Sequence, residues 1–239
     1  MKPQAKYMRD SFEYFKSKEN EIIYFYVSSQ NEFPELKGFT NLDTCYTNEY
    51  PSVNHADCLN MIHDNYDKLE VDIIVICECD VIINYQSWDK KIIEHLNDND
   101  YFGVTLSQKD KIRGNDWNKE YPCVYFLCGR KETFMNDRID FSPDIITHDS
   151  GMGARVIKNN GKKSYLDTGY KIMYYCLEKK FFVLKNIFSY EEKTQIWFYN
   201  DIPFAFHFTG IRLKRRRKEY LDIIKKLPFY KVNKDNTIQ

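Results

Sequence analysis

The sequence has no excess charge of either sign: Lys and Arg total 35, as do Asp and Glu. Bulk electrostatics therefore give no reason to expect a nucleic-acid binder. It has no apolar run approaching the roughly 20 residues needed to cross a bilayer. Its N-terminal stretch, MKPQAKYMRDSFEYFKSKEN, is polar and aromatic and lacks the apolar core of a signal peptide. The seven cysteines are odd in number and scattered, so reduced thiols in a cytoplasm are the expectation rather than a disulfide framework.

Several familiar chemistries are missing as well. There is no G-x-x-x-x-G-K-[ST] phosphate loop and no G-x-S-x-G nucleophile elbow. Gly151-Met152-Gly153 starts like a dinucleotide fingerprint, but Val156 stands where the third glycine belongs and no strong strand precedes it. Cys77-x-Cys79 and Cys123-x₄-Cys128 lack the paired spacing of a zinc site. His55, His63, His95 and His148 share no ligand spacing.

What is present is an ordinary soluble balance, 43% hydrophobic and 29% charged over 239 residues. That is enough chain for one large α/β domain or two small ones without disulfide support. No repeat, low-complexity linker or boundary interrupts it, so a single domain over 1–239 is expected. Aromatic content is high at 16%; composition alone does not separate a stacking-rich surface from a biased genome.

The first half reads as strand, helix, strand, helix. EIIYFYVSS (21–29) is rich in β-branched and aromatic residues and ends in small polar ones. In SVNHADCLNMIHDNYDKLE, Val53, Ala56, Leu59, Ile62, Tyr66 and Leu69 recur at helical spacing behind Ser52, a good N-cap. VDIIVIC (71–77) is apolar throughout, as central parallel strands are. SWDKKIIEHL follows as a helix with Ser87 as cap and Trp88, Ile92 and Leu96 on one face. The alternation predicts a mostly parallel sheet flanked by helices. Further on, 101–107, 123–129 and KSYLDTGYKIMYYCLEKKFFVL are strand-like, and 108–122 reads as a loop. A helix is expected from near Asp149, and FAFHFTG leads into a basic C-terminal helix reaching about Leu227.

The chemistry gathers in DIIVICECDVIINYQSW (72–88), where an apolar run ends in Glu78-Cys79-Asp80. A buried carboxylate is costly unless paired or holding a metal. In parallel α/β sheets ligands sit beyond the carboxyl ends of strands, and carboxylates at i and i+2 of an extended chain point to one side. Both can then address one hard cation such as Mg²⁺ or Mn²⁺. A pair of solvated acids at a strand end is the plainer alternative.

With its neighbours, this stretch resembles nucleotide-sugar glycosyltransferases of the GT-A fold, most of all glycosyltransferase family 2. The preceding helix carries Ala56 and Asn60, the strand ends in a DxD-like Glu78-Cys79-Asp80, and a Trp-opened helix follows. The resemblance implies a GT-A, Rossmann-like sheet and a metal, Mn²⁺ or Mg²⁺, held by Asp80 and, with Glu in the first position, by Glu78. It implies a UDP- or GDP-sugar donor whose base lies against Tyr26, Ser28 and Ser29, with Asn60 and Cys79 also at the donor site. His207-Phe208-Thr209-Gly210 is similar to a late H-x-x-G that supplies a further ligand, here His207; a satisfied core histidine is the alternative. Asp149 would be the general base of an inverting hexosyl- or pentosyltransferase, although it is also a good N-cap. Arg212 would add positive charge at the leaving diphosphate.

RLKRRRK (212–218) packs six cations around one Leu. It suits a solvated helix face, an anionic membrane surface, or a phosphate-bearing acceptor such as a lipid-linked glycan or modified nucleic acid. Two functions stand at this stage. One is a cytoplasmic metal-dependent glycosyltransferase, with a retaining variant open; the other is a non-catalytic α/β module binding nucleotides or nucleic acid through the basic helix.

Overall fold

The computed structural model describes residues 2–29, 36–45, 51–105, 122–141, 172, 178–189, 194–208 and 214–230. In chain order they form α1 (Lys2–Phe15), β1 (Phe25–Ser29), β2 (Thr40–Cys45), α2 (Pro51–His63), a 3₁₀ turn (Tyr66–Lys68), β3 (Ile73–Cys77), β4 (Val81–Ile83), α3 (Trp88–His95), β5 (Tyr101–Val104), β6 (Phe126–Arg130), α4 (Lys131–Asp137), β7 (Phe181–Ser189), β8 (Thr194–Tyr199), β9 (Ile202–His207) and α5 (Lys214–Ile224). They fall into two compact units. The first comprises Met1–Ile22, Glu78–Ile93 and Leu184–Gln239, the second Ile23–Cys77 and Glu94–Val183.

The fold is mixed α/β, but the expected mostly parallel sheet is not what forms. β1 and β2 pair in parallel, with a register shift at Tyr26/Val27. The pairings β3–β6, β6–β5, β7–β8, β8–β9 and β9–β4 are all antiparallel. β3 shows why the sequence misled. Its run is apolar throughout, yet Ile74 and Ile76 are buried while Ile73, Val75 and Cys77 are only half-buried. Its partner β6 lies far along the chain, with Ile73 opposite Arg130, and hydrophobicity carries no information on the direction of a distant partner.

In the second unit, Ala56 and Leu59 of α2 pack with Tyr66, Leu69, Ile74, Tyr101, Leu127 and Phe134 in one core. The helix expected through Glu70 stops at His63, and Tyr66 and Leu69 enter the core from the 3₁₀ turn and the residue after it. Gly103 of β5 sits where a Cβ would fall 2.7 Å from Pro122 Cβ and 2.8 Å from the Phe126 carbonyl oxygen. One of those atoms is backbone, so the strand itself must move to admit a methyl group. Gly103→Ala is therefore expected to destabilise by about 1–3 kcal/mol, checked by chemical denaturation; an unchanged midpoint would contradict it.

In the first unit, α1 buries Ala5, Met8, Phe12 and Phe15, which recur at steps of three and four. Its carboxyl-terminal half is tied to the end of β4 and to the chain that follows it. Trp88 Nε1 donates to the Phe12 carbonyl at 3.0 Å, Ser87 N to that of Phe15 at 2.6 Å, and Ile83 N to Ser11 Oγ at 3.2 Å. In α3, Trp88 and Ile92 are buried as expected. Ser87 is not a conventional cap: its φ of 55° lies in the left-handed region, where the chain folds back onto α1. α5 is the expected basic helix. It buries Tyr220 and Ile224, and the Tyr220 ring meets Phe208 edge-on at 4.6 Å. Among the described residues no helix is long and apolar enough to cross a membrane.

Asp89, in the first turn of α3, anchors the chain after α1. Its carboxylate is buried and accepts from Ser17 N at 2.8 Å, from Ser17 Oγ and from Asn20 Nδ2 at 2.7 Å. Burial alone would raise its pKa, but these donors together outweigh that and hold it below the usual carboxylate value. An Asn here would turn an amide N–H toward donors, so Asp89→Asn is expected to cost about 1–3 kcal/mol. Because the folded pKa is depressed, the stabilisation is present above the unfolded value of about 3.9 and is lost as pH falls through the folded value. The gap between wild type and Asp89→Asn in urea titrations should thus shrink in acid; a pH-independent gap would contradict the assignment.

Candidate metal centre

Glu78, Cys79 and Asp80 do not continue β3 in extended form. Val81 N donates to the Glu78 carbonyl at 3.2 Å, closing a tight turn into β4. The expectation that an extended chain places both carboxylates on one side is therefore corrected. The turn, together with the strand opposite, now brings them together. β4 pairs with β9 so that Val81 faces His207, and Phe208 N donates to the Asp80 carbonyl at 3.3 Å. The last residue of β9 is thereby held against the turn.

Three side chains meet as a result. His207 Nε2 is 2.9 Å from Glu78 Oε2 and 3.4 Å from Asp80 Oδ1. One ligand atom from each lies within 4.8 Å of the others. The imidazole side chain is 3% exposed, Asp80 13% and Glu78 27%, so the cluster is buried from the His207 side and open along Glu78. Among the described residues, Asp80 Oδ1 is buried and makes no hydrogen bond of normal geometry, meeting only His207 Nε2 at 3.4 Å. Burial disfavours the imidazolium, but Asp80 and then Glu78 outweigh it, and the His207 pKa is raised to about 10. Between them, Cys79 is inert as a thiol: burial first, then the Asp80 and Glu78 charges, push it up to about 12.

The donor set fits a hard divalent ion. Adjacent octahedral ligands about 2.1 Å from a common ion lie roughly 3 Å apart, near the 2.9 and 3.4 Å separations. Two carboxylates and one imidazole suit Mn²⁺ or Mg²⁺ better than a thiol-preferring metal. An ion entering here displaces the imidazole proton, so its binding releases a proton.

Beyond His207 lies a polar pair that the sequence reading missed. In the β8–β9 register Gln195 stands directly opposite His207. Gln195 Oε1 lies 3.4 Å from His207 Nδ1 and accepts from Asn186 Nδ2 at 3.1 Å. Gln195 and Asn186 are 3% and 6% exposed. The signal available was a Gln at an inward position of the aromatic strand TQIWFY.

The remaining expected site residues belong to the second unit or lie outside the described residues. Tyr26, Ser28, Ser29 and Asn60 belong to the second unit. Ser28 Oγ contacts Thr44 Oγ1 at 3.1 Å and its backbone N–H donates to Asn41 Oδ1. The Tyr26 ring lies 6.5 Å from that of Phe39, and Ser29 ends β1. Asn60 Oδ1 accepts from Phe141 N at 2.9 Å and its Nδ2 reaches Asp140 at 3.4 Å, which pins the chain after α4. Asp149, Thr209, Gly210 and Arg212 lie outside the described residues. Comparison with known proteins finds no matching family model, no matching curated protein and no matching solved structure.

Proposed function

We propose that the protein is a metal-dependent glycosyltransferase moving a sugar from a nucleotide-sugar donor to a hydroxyl acceptor. The observation that carries this reading is the meeting of Glu78, Asp80 and His207 within 4.8 Å. These are the residues that the DxD-like motif and the late histidine single out from widely separated parts of the chain. The turn after an apolar strand supplies the two acids, and a strand paired to the returning chain supplies the imidazole. A buried carboxylate oxygen that finds no hydrogen bond among the described residues further supports a cation at this place.

In this reading Asp80, Glu78 and His207 would hold Mn²⁺ or Mg²⁺. Held there, such an ion would supply positive charge against the departing nucleoside diphosphate. Asp80 and Glu78 supply the negative charge and His207 a neutral nitrogen; together they fix one position for the diphosphate and so align the donor. Asp149 is proposed to take the acceptor hydroxyl's proton as the new C–O bond forms, and Arg212 to add positive charge to the leaving group. The configuration of the product anomer separates an inverting from a retaining course.

The test is thermal stabilisation of the wild-type protein by a panel of UDP- and GDP-sugars, with Mn²⁺ and with EDTA. One donor should stabilise in Mn²⁺ and not in EDTA. A folded protein that responds to no donor in either condition would reject the transferase reading.

A further inference from the structure

The side chains behind His207 have a chemical direction. Gln195 Oε1 accepts from Asn186 Nδ2 at 3.1 Å and faces His207 Nδ1 at 3.4 Å. All three residues are nearly fully buried, so water is poorly placed to substitute for any of them. A carbonyl oxygen can only accept, which means that the His207 nitrogen facing it must carry the hydrogen. A neutral imidazole bears one N–H, and with that hydrogen on Nδ1 the lone pair is on Nε2. Nε2 is the atom 2.9 Å from Glu78 Oε2 and 3.4 Å from Asp80 Oδ1.

We infer that Gln195, itself held by Asn186, is a positioning residue that fixes the ring orientation and tautomer of His207 so that Nε2 is presented as a metal ligand. The inference rests on the metal reading of the Glu78–Asp80–His207 cluster. The β-sheet makes the arrangement rigid. Gln195 and His207 are a cross-strand pair in the β8–β9 register, and Asn186 is opposite Trp197 on β7, diagonal to Gln195. Trp197, two residues on from Gln195 and fully buried, lies with its ring 5.7 Å from the imidazole. Ring rotation about the Cβ–Cγ bond is thus opposed by packing, and the tautomer by the hydrogen bond. Partners of this kind typically change metal affinity by about 10–100-fold when removed.

The experiment is Mn²⁺ affinity by calorimetry for wild type, Gln195→Leu and Gln195→Glu, with nitrogen NMR of the His207 ring in the wild-type protein loaded with diamagnetic Zn²⁺. Gln195→Leu should bind Mn²⁺ about 10–100-fold more weakly. Gln195→Glu, whose carboxylate is also only an acceptor, should retain most of the affinity. The ring should carry its hydrogen on Nδ1 with the metal on Nε2. Wild-type Mn²⁺ affinity in a folded Gln195→Leu protein overturns the inference, as does a ring protonated on Nε2. The NMR result decides even where the Leu variant does not fold. A wild type that binds no Mn²⁺ overturns the metal reading itself, a different failure from wild-type binding that ignores Gln195.

Discussion

Asp80→Asn is expected to weaken Mn²⁺ binding by roughly a hundredfold or more while leaving the protein folded. Asn keeps the size of the side chain and one oxygen but removes the charge. Affinity for a hard divalent ion depends on the charge count of its ligands, and a loss of about 3 kcal/mol is close to two decades of affinity. The local fold should survive because Asp80 contributes to it through its backbone: its carbonyl accepts from Phe208 N, and the turn is closed by Val81 N on the Glu78 carbonyl. Among the described residues the side-chain oxygen Oδ1 makes no hydrogen bond of normal geometry, and its 3.4 Å pairing with His207 is shared with Glu78, which remains in Asp80→Asn. Calorimetric titration with Mn²⁺, alongside the thermal midpoint without metal, separates the two effects. Unchanged Mn²⁺ affinity would remove Asp80 from the site and with it the transferase proposal.

Phe134→Ala is expected to destabilise the second unit's core more than Gly103→Ala does. The ring is fully buried, 5.4 Å from the Tyr101 ring and 5.6 Å from that of Tyr66. It also rests against the strand at Gly129, where a Cβ would come within 2.9 Å of its Cε2. Glycine lets the ring sit directly on β6, so few side chains are available to relax into the hole. Truncations of this kind cost about 3–5 kcal/mol. For a chain of this size that corresponds to a midpoint lowered by roughly 6–20 °C, read by circular dichroism during heating. A midpoint within a degree or two of wild type would show that the core collapses around the gap.

Much of the local structure is written in short-range pattern. The helical spacing of Trp88 and Ile92 and the apolar run of β3 correspond to elements that form. Ala5, Met8, Phe12 and Phe15 carry an equally clear helical period. The polar and aromatic residues around these four mask that period in the sequence. Strand direction was a different matter. An apolar strand looks the same whether its neighbour runs with it or against it, and β6, the partner of β3, is distant in sequence.

The sequence by itself determined the chemistry on offer: two acids with one residue between them after an apolar run, and a late histidine among aromatics. Composition and spacing suffice for that, because which groups bind a hard cation is a property of the side chains. Only the tertiary structure decided that they meet. The closing turn at Glu78 and the β4–β9 register bring Nε2 of His207 to 2.9 Å from one carboxylate and 3.4 Å from the other. The partnership of His207 with Gln195 was likewise invisible beforehand, since a cross-strand pair depends on register. Register is set by packing of whole sheet faces rather than by any residue near the pair.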